Sequence, residues 1–315
     1  MKKAKGDTLL IKPVRENGQA AKYLGPALIS ITILSLLPIL YTIYISFTNY
    51  TIYTQGSAKF TGLHNYIEVL TGPFSKIFLP VFGWTIVFAL VSTLGCFFVG
   101  LILAMLLNNS HMKEKGFYKG LLIIPWALPA TIATLSWQGL LNTAYGAINT
   151  LLLNLHIIST PIPWLTNPEC ARAAVLFVNV WLGFPFMMCV CLGALSSIPK
   201  VYYEAASIDG ASRFTQFRKI TLPALAKTAY PLLISSFAFN FNNFNTIYLI
   251  TKGLPPRVST QWAGYTDILA SSIYKLAVNF GKYNIGATLS VLVFIIVGTI
   301  SFIQMKASGQ FEEVD

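Results

Sequence analysis

Residues 77–112 read IFLPVFGWTIVFALVSTLGCFFVGLILAMLLNNSHM, a stretch without one Asp, Glu, Lys or Arg. A helix rising 1.5 Å per residue needs about 20 residues to cross a hydrocarbon core of ~30 Å, so this stretch is long enough to span it. A charge at the centre of a spanning helix costs about 2.5–3.5 kcal/mol. Five more charge-free intervals lie on either side, at 23–58, 120–168, 173–199, 228–251 and 283–305. Six buried helices of a soluble protein would not each need to exclude charge; six helices in lipid would. Composition agrees, with 55% hydrophobic and 10% charged residues, where soluble domains carry about 25% charged. The expected fold is an all-α membrane protein with about six transmembrane helices, near 24–48, 81–107, 120–141, 173–197, 228–250 and 285–305. Interval 120–168 has room for more, but Ala147–Ser159 is too short to span and carries Asn149, Asn154 and His156. It reads as a short helix at the membrane surface.

The net charge of +11 is explained by topology rather than by nucleic acid. Fifteen of the 22 Lys and Arg fall on one side of such a bundle. They are Lys2, Lys3, Lys5, Lys12, Arg15 and Lys22 before the first span, Lys113, Lys115 and Lys119 after the second, Lys200, Arg213, Arg218, Lys219 and Lys227 between the fourth and fifth, and Lys306 after the sixth. Lys59, Lys76, Arg172, Lys252, Arg257, Lys275 and Lys282 fall on the other. The positive-inside rule then places both termini in the cytoplasm of a multi-pass cell-membrane protein. Residues 1–22 are expected as a cytoplasmic segment, 23–306 as the transmembrane domain and 307–315 as a cytoplasmic tail. Loop 252–282, with four cations, fits this orientation least well. The first span has no small-residue cleavage site before it and reads as a retained anchor.

Chemistry is sparse. There is no GxxxxGK[ST] phosphate loop; Gly281-Lys282 is followed by Tyr283 and cannot cradle a nucleotide. His64, His111 and His156 are scattered, and no cluster has metal spacing. Cys96, Cys170, Cys189 and Cys191 suggest neither a disulfide framework nor a metal site. Glu68, Glu169 and Asp267 stand isolated along the chain, which argues against an enzyme centre. No catalytic residue, metal or cofactor is expected. With no Asp, Glu, Lys, Arg or His inside the six expected spans the chain lacks the relays that pumps and secondary carriers use. A transporter of this composition must take its energy from a partner.

The loop 198–223 carries the most specific signal. Pro199 suits the first turn of a helix and Gly210 its end, which predicts a helix of roughly 11 residues, or about 16 Å. Ser212–Ile220 reads as a second short amphipathic piece ahead of Leu222-Pro223. Glu204-Ala205-Ala206, Asp209-Gly210-Ala211, Phe217, Ile220 and Leu222-Pro223 resemble the EAA motif of binding-protein-dependent ABC importer permeases of type I. The resemblance implies a coupling helix seated on a separate ATPase subunit. Glu204, Ala205, Ala206, Asp209 and Gly210 would then be its contact and turn residues, with ATP and Mg bound by the partner.

Two spans hold polar groups that need partners. Asn179, Leu182, Gly183 and Phe186 fall at i, i+3, i+4 and i+7, one helical stripe. Asn240 and Asn243 share a face of span five, with Phe239 and Phe244 beside them, while Asn242 and Asn245 point roughly the opposite way. Amides and aromatic rings suit the hydroxyls and apolar faces of a neutral sugar. They equally suit interhelical hydrogen bonding, with Gly183 permitting close packing, and the residues alone leave both open. From about Pro80 onward, however, the chain resembles the maltose/maltodextrin-type (MalF-like) permease subunits. The blocks that carry this are VNVWLGFPFMM at 178–188, SFAFNFNNF at 236–244 and AGYTD at 263–267. The resemblance implies a sugar site of Asn179, Leu182, Gly183, Phe186, Phe239, Asn240 and Asn243, joined by Trp126. Ala130 and Phe186 lack hydroxyls that the family carries at those positions, which bears on strict maltose selectivity. The chain also lacks two early spans and a large external domain of the best-known relatives, so a binding protein would dock on smaller loops, 142–172 and 252–282 among them. The implied partners are a second, MalG-like permease subunit, two ATPase subunits, an extracytoplasmic sugar-binding protein, the oligosaccharide and membrane lipid, with no nucleic acid. A permease for another oligosaccharide or small neutral solute stays open.

Overall fold

The first charge-free interval forms α1 (Asn17–Ile31), a π-helical turn at Thr32–Leu36 and α2 (Leu37–Ser46). After α3 (His64–Leu70) the quoted stretch becomes α4 (Ser75–Leu107), a single helix of 33 residues. This computed structural model describes residues 17–72, 74–109, 112–257 and 260–307. The segment 1–16 with five of the expected cytoplasmic cations, His111 and the tail 308–315 lie outside the described residues.

The third span is not one helix. It is divided into α5 (Lys115–Ala127) and α6 (Ala130–Leu140), which meet at 89°. The cause is local. Pro129 disfavours the helical region for the residue before it, and Leu128 sits at φ −74°, ψ 143°. Next comes α7 (Ala147–Asn154), shorter than the helix expected at 147–159. Asn149, whose polarity argued against a span there, is buried and clamps the loop. Its amide donates to Thr143 O and Ile162 O, and its Oδ1 accepts from Ile162 N and Trp164 Nε1. The fourth span, α8 (Pro168–Ser196), starts earlier than expected because Asn167 caps it, accepting from Glu169 N and Cys170 N at 3.0 and 3.2 Å.

The segment that follows α8 forms α9 (Lys200–Ile208). Beyond it, α10 (Arg213–Gln216), a π turn at Phe217–Thr221 and α11 (Leu222–Phe241) run on as one helix. The second amphipathic piece expected at 212–220 is therefore the start of the fifth span. A proline at 223 would clash with the carbonyl four residues back in a regular helix, and the widened turn accommodates it. The fifth span also ends early. The helix stops at Phe241, and α12 (Phe244–Thr251) restarts from Asn243, whose Oδ1 accepts from Thr246 N at 3.3 Å. Among the described residues five helices are long and apolar enough to cross a membrane, or six where the bent pair α5–α6 is taken as one span.

Segment 252–282 is folded rather than a loop. It holds an antiparallel ribbon of β1 (Pro256–Arg257) and β2 (Thr260–Gly264), then α13 (Leu269–Tyr274) and a π turn at Lys275–Asn279, before α14 (Tyr283–Ala307). Asp267 is not isolated. Fully buried, it accepts from Gly264 N and Ser271 Oγ at 2.7 Å and from Lys275 Nζ at 2.6 Å. Glu169 lies 3.9 Å from Arg172, and Glu68 lies 4.0 Å from His64. Arg172 and Arg257 stand 5.5 and 5.1 Å from the Tyr265 ring. Burial, and then the charge of Arg172, hold Arg257 below the usual guanidinium range. Much of the cationic excess that made this side anomalous is thus consumed by local structure.

The core is a seam between α4 and α8, which share the most extensive contact in the molecule. Small residues allow it. A Cβ on Gly100 would lie 2.6 Å from the Met188 nitrogen. Leu101, Ala104, Met188, Cys191 and Leu225 fill one end of the seam, and Trp84, Phe88, Val175, Val178 and Ile247 the other. The cysteines are free, two of them buried in this packing.

Candidate functional site

Both helix breaks, α5–α6 and α11–α12, face α8 across a cavity of about 460 Å³. Trp126 and Ala130 come from the two sides of the first break, and Phe239, Asn240 and Asn243 from the second. From α8 come Asn179, Leu182, Gly183 and Phe186, the whole predicted stripe. The structure thus gathers every residue of the expected sugar set, Trp126 included, around one cavity.

Its polar floor is a connected set of amides. Asn179 Nδ2 donates to Asn240 Oδ1 at 2.8 Å, and Asn179 Oδ1 accepts from Asn243 Nδ2 at 2.7 Å and from Thr246 Oγ1 at 3.2 Å. Asn240 Nδ2 donates to Ser236 O at 2.9 Å and Thr93 Oγ1 at 3.2 Å. Asn179 and Asn240 are buried, so these bonds satisfy amides that would otherwise be costly in hydrocarbon. The apolar wall is aromatic. Trp126 and Phe186 have ring centroids 6.3 Å apart, and Phe239 is 72% exposed, a face without a protein partner over most of its area. None of the residues lining this cavity is charged. The arrangement can bond hydroxyls and cover apolar ring faces; it offers no counter-ion.

The reading of span five needs correction. Asn240 and Asn243 line the same cavity, as their shared face predicts, but the helix breaks at Asn242, and beyond the break Asn245 also lines the cavity, against the opposite-face expectation. Sequence reasoning also missed Leu232, Ser235 and Ser236, although they continue the Asn240 stripe backward at helical spacing. Thr134 extends the Ala130 face of α6 in the same way. Cys96, from α4, has no such signal; it reaches the cavity because Gly183 has no side chain to exclude it, a Cβ there falling 2.6 Å from the Cys96 sulfur.

At the far end of α8, Pro199 is the N-cap of α9 rather than a residue of its first turn, so the helix has nine residues. Gly210 adopts φ +74° and turns the chain after it, as expected of that position. Glu204, Ala205, Asp209 and Gly210 are exposed and Ala206 is half-buried. Ala205, Ala206 and Asp209 line an open groove of about 590 Å³ with Tyr202, Lys219 and Ile220; Glu204 lies outside it. Val201, Tyr202 and Ile208 expose apolar surface alongside. Tyr203 Oη lies 2.8 Å from Thr221 Oγ1, and Gln216 Nε2 donates to Ser207 Oγ at 3.0 Å and to Ala211 O at 3.2 Å. These bonds fasten α9 to the start of the fifth span, whose other end carries Asn240.

A family model described as binding-protein-dependent transport system inner membrane component matches residues 24–310. The maltose/maltodextrin transport system permease protein MalF of Salmonella typhimurium strain LT2 is 42% identical over 252 residues, 78% of this chain and 49% of that protein. MalF of Escherichia coli strain K12 is 41% identical over 260 residues, 81% of this chain and 50% of that protein. The chain therefore spans about half the length of the curated relatives it matches. Among solved structures, a bacterial ABC transporter involved in import of the acidic polysaccharide alginate superposes with a TM-score of 0.77. The match covers 95% of this chain and 97% of that one at 21% identity, a likeness of fold alone.

Proposed function

The chain belongs to the inner membrane components of binding-protein-dependent transport systems, and from that premise we propose that it is a permease subunit lining the path of a neutral oligosaccharide of the maltodextrin type. The observation that carries the substrate class is the uncharged cavity of amides and exposed rings. A polyanion such as alginate would want Arg or Lys along the wall, and none lines it. The maltose/maltodextrin permeases it is similar to support the same class.

In this reading the α9 end faces the cytoplasm and seats on a separate ATPase, with Glu204, Ala205, Ala206, Asp209 and Gly210 at the contact and ATP-Mg held by that partner. A second permease subunit, two ATPase subunits and an extracytoplasmic binding protein complete the assembly. Closure of the ATPases pushes α9, the Tyr203–Thr221 and Gln216–Ser207 bonds carry the displacement into the fifth span, and the cavity opens outward to receive sugar. This subunit makes and breaks no covalent bond.

Asn240→Leu tests the reading. Radiolabelled maltotriose uptake by vesicles carrying the assembled complex is expected to fall at least tenfold, while the assembled complex keeps its basal ATP hydrolysis. Native uptake by this variant would make the amide purely structural.

A further inference from the structure

The amides of the cavity floor have a direction, and two backbone groups set it. Ser236 O can only accept, so the atom of Asn240 that meets it at 2.9 Å is the nitrogen. Thr246 N can only donate, so the atom of Asn243 that meets it at 3.3 Å is the oxygen. From the first anchor, Asn240 turns its oxygen to Asn179, which must present its nitrogen, at 2.8 Å. From the second, Asn243 turns its nitrogen to Asn179, which must present its oxygen, at 2.7 Å. The two derivations meet on Asn179 and agree. Donation runs one way, from Asn243 to Asn179 to Asn240, and ends on Thr93 Oγ1 at 3.2 Å.

Each amide has two N–H donors and an oxygen with two lone pairs. Asn240 uses both donors, on Ser236 O and Thr93. Asn179 uses both lone pairs, on Asn243 and Thr246. What remains is one N–H on Asn179, one N–H on Asn243 and one lone pair each on Asn240 and Asn243. A hydroxyl, which donates and accepts at once, matches this mixed set. Thr93 is buried on α4, outside the lining of the cavity, and is the terminal acceptor of the chain. Without that acceptor one Asn240 N–H keeps only a long 3.5 Å contact with Ser236 Oγ, and the amide, held then by Ser236 O and Asn179 alone, loses one of the bonds that fix where its oxygen meets Asn179.

Resting on the sugar reading above, we propose that Thr93 is a positioning residue for sugar recognition, acting through Asn240 to hold a one-way amide ladder whose unused N–H groups and lone pairs meet the hydroxyls of the solute.

Thr93→Val removes the acceptor at nearly constant shape, and Thr93→Ser keeps it. In vesicles carrying the assembled complex, Thr93→Val is expected to raise KM for radiolabelled maltotriose about tenfold, a hydrogen-bond-sized effect, with Vmax changed far less. Thr93→Ser is expected to restore a near-native KM, which a packing role for the threonine methyl would not predict. The second arm needs no sugar. Thermal unfolding of the purified complex is measured for Thr93→Val, Asn243→Ala and the double variant. The two residues touch only through Asn179 and Asn240, so a ladder makes the double loss smaller than the sum, while independent contacts make the losses add. Additive losses, or a native KM in Thr93→Val, overturn the proposal. Wild-type complex that takes up no maltotriose would remove the sugar reading and leave the ladder to be decided by the unfolding cycle.

Discussion

The α4–α8 seam allows a prediction in which two alanines on one helix have opposite effects. A Cβ added at Gly100 would sit 2.6 Å from the Met188 nitrogen and 2.9 Å from the Met187 carbonyl carbon and Cβ. Non-bonded carbons rest about 3.5–4.0 Å apart, so the helices must separate by roughly 1 Å. Two of the three obstructing atoms are backbone and cannot rotate away. Overpacking of this kind costs about 1–3 kcal/mol, against which alanine recovers about 0.5–1 kcal/mol of helix-interior preference over glycine. The net loss spans about 0–2.5 kcal/mol with a midpoint of about 1.3 kcal/mol, which at about 2–4 °C per kcal/mol is a fall of roughly 3–5 °C in Tm. The displacement also bears on function, because Met187 lines the cavity and Asn179, Gly183 and Phe186 ride on the same helix. Gly83, on the same α4, has nothing within 4 Å of its added Cβ. Gly83→Ala is therefore expected to leave Tm unchanged or raise it slightly. Thermal unfolding of the solubilised protein, with solute uptake measured alongside, checks both. A Gly100→Ala variant as stable as its Gly83→Ala counterpart would refute the close-packed seam.

Two further predictions concern the ends of the molecule. Glu204→Lys, on the exposed face of α9, is expected to leave assembly in the membrane intact while ATP-dependent uptake collapses; near-normal uptake with that variant would remove the coupling role. Lys275→Met leaves the fully buried Asp267 carboxylate without its cation, a loss of about 3–5 kcal/mol for a buried pair, whereas Asp267→Asn keeps a group that can bond Gly264 N and Ser271. Protease sensitivity of segment 252–282 should rise sharply in the first variant and modestly in the second; equal behaviour would show that the pair is screened by solvent.

The number and approximate places of the spans were legible because lipid imposes one rule on every helix, and charge-free intervals report it directly. The short helix α9 was legible because Pro199 and Gly210 bound it within a dozen residues. What did not show was direction and long-range pairing. Asp267 and Lys275 lie on either side of α13 and meet only once that short helix has formed inside a segment that reads as a loop. Asn149 was read for its polarity when its effect is to clamp a loop. Hydropathy treated 120–141 and 228–250 as uniform cylinders, although Pro129 and the Asn243–Thr246 cap were in plain sight as interruptions.

Those interruptions connect the fold to the site. Backbone that leaves the helix at membrane depth exposes N–H and C=O groups that hydrocarbon cannot satisfy, so it persists only where protein packs against it or where it borders a polar cavity. Two breaks, at Leu128–Pro129 and Asn242–Asn243, occur in different spans, and both border the same cavity, opposite the unbroken α8. The polar residues there serve twice. Asn243 restarts a helix with its oxygen and bonds Asn179 with its nitrogen, so the residue that restarts the helix after the break also holds the amides of the cavity floor. A substitution that repaired the break by making residues 240–246 more helical would be expected to leave Asn240 and Asn243 on one face while turning Asn245 away from the cavity, and solute uptake unchanged by such a repair would show that the break itself is dispensable.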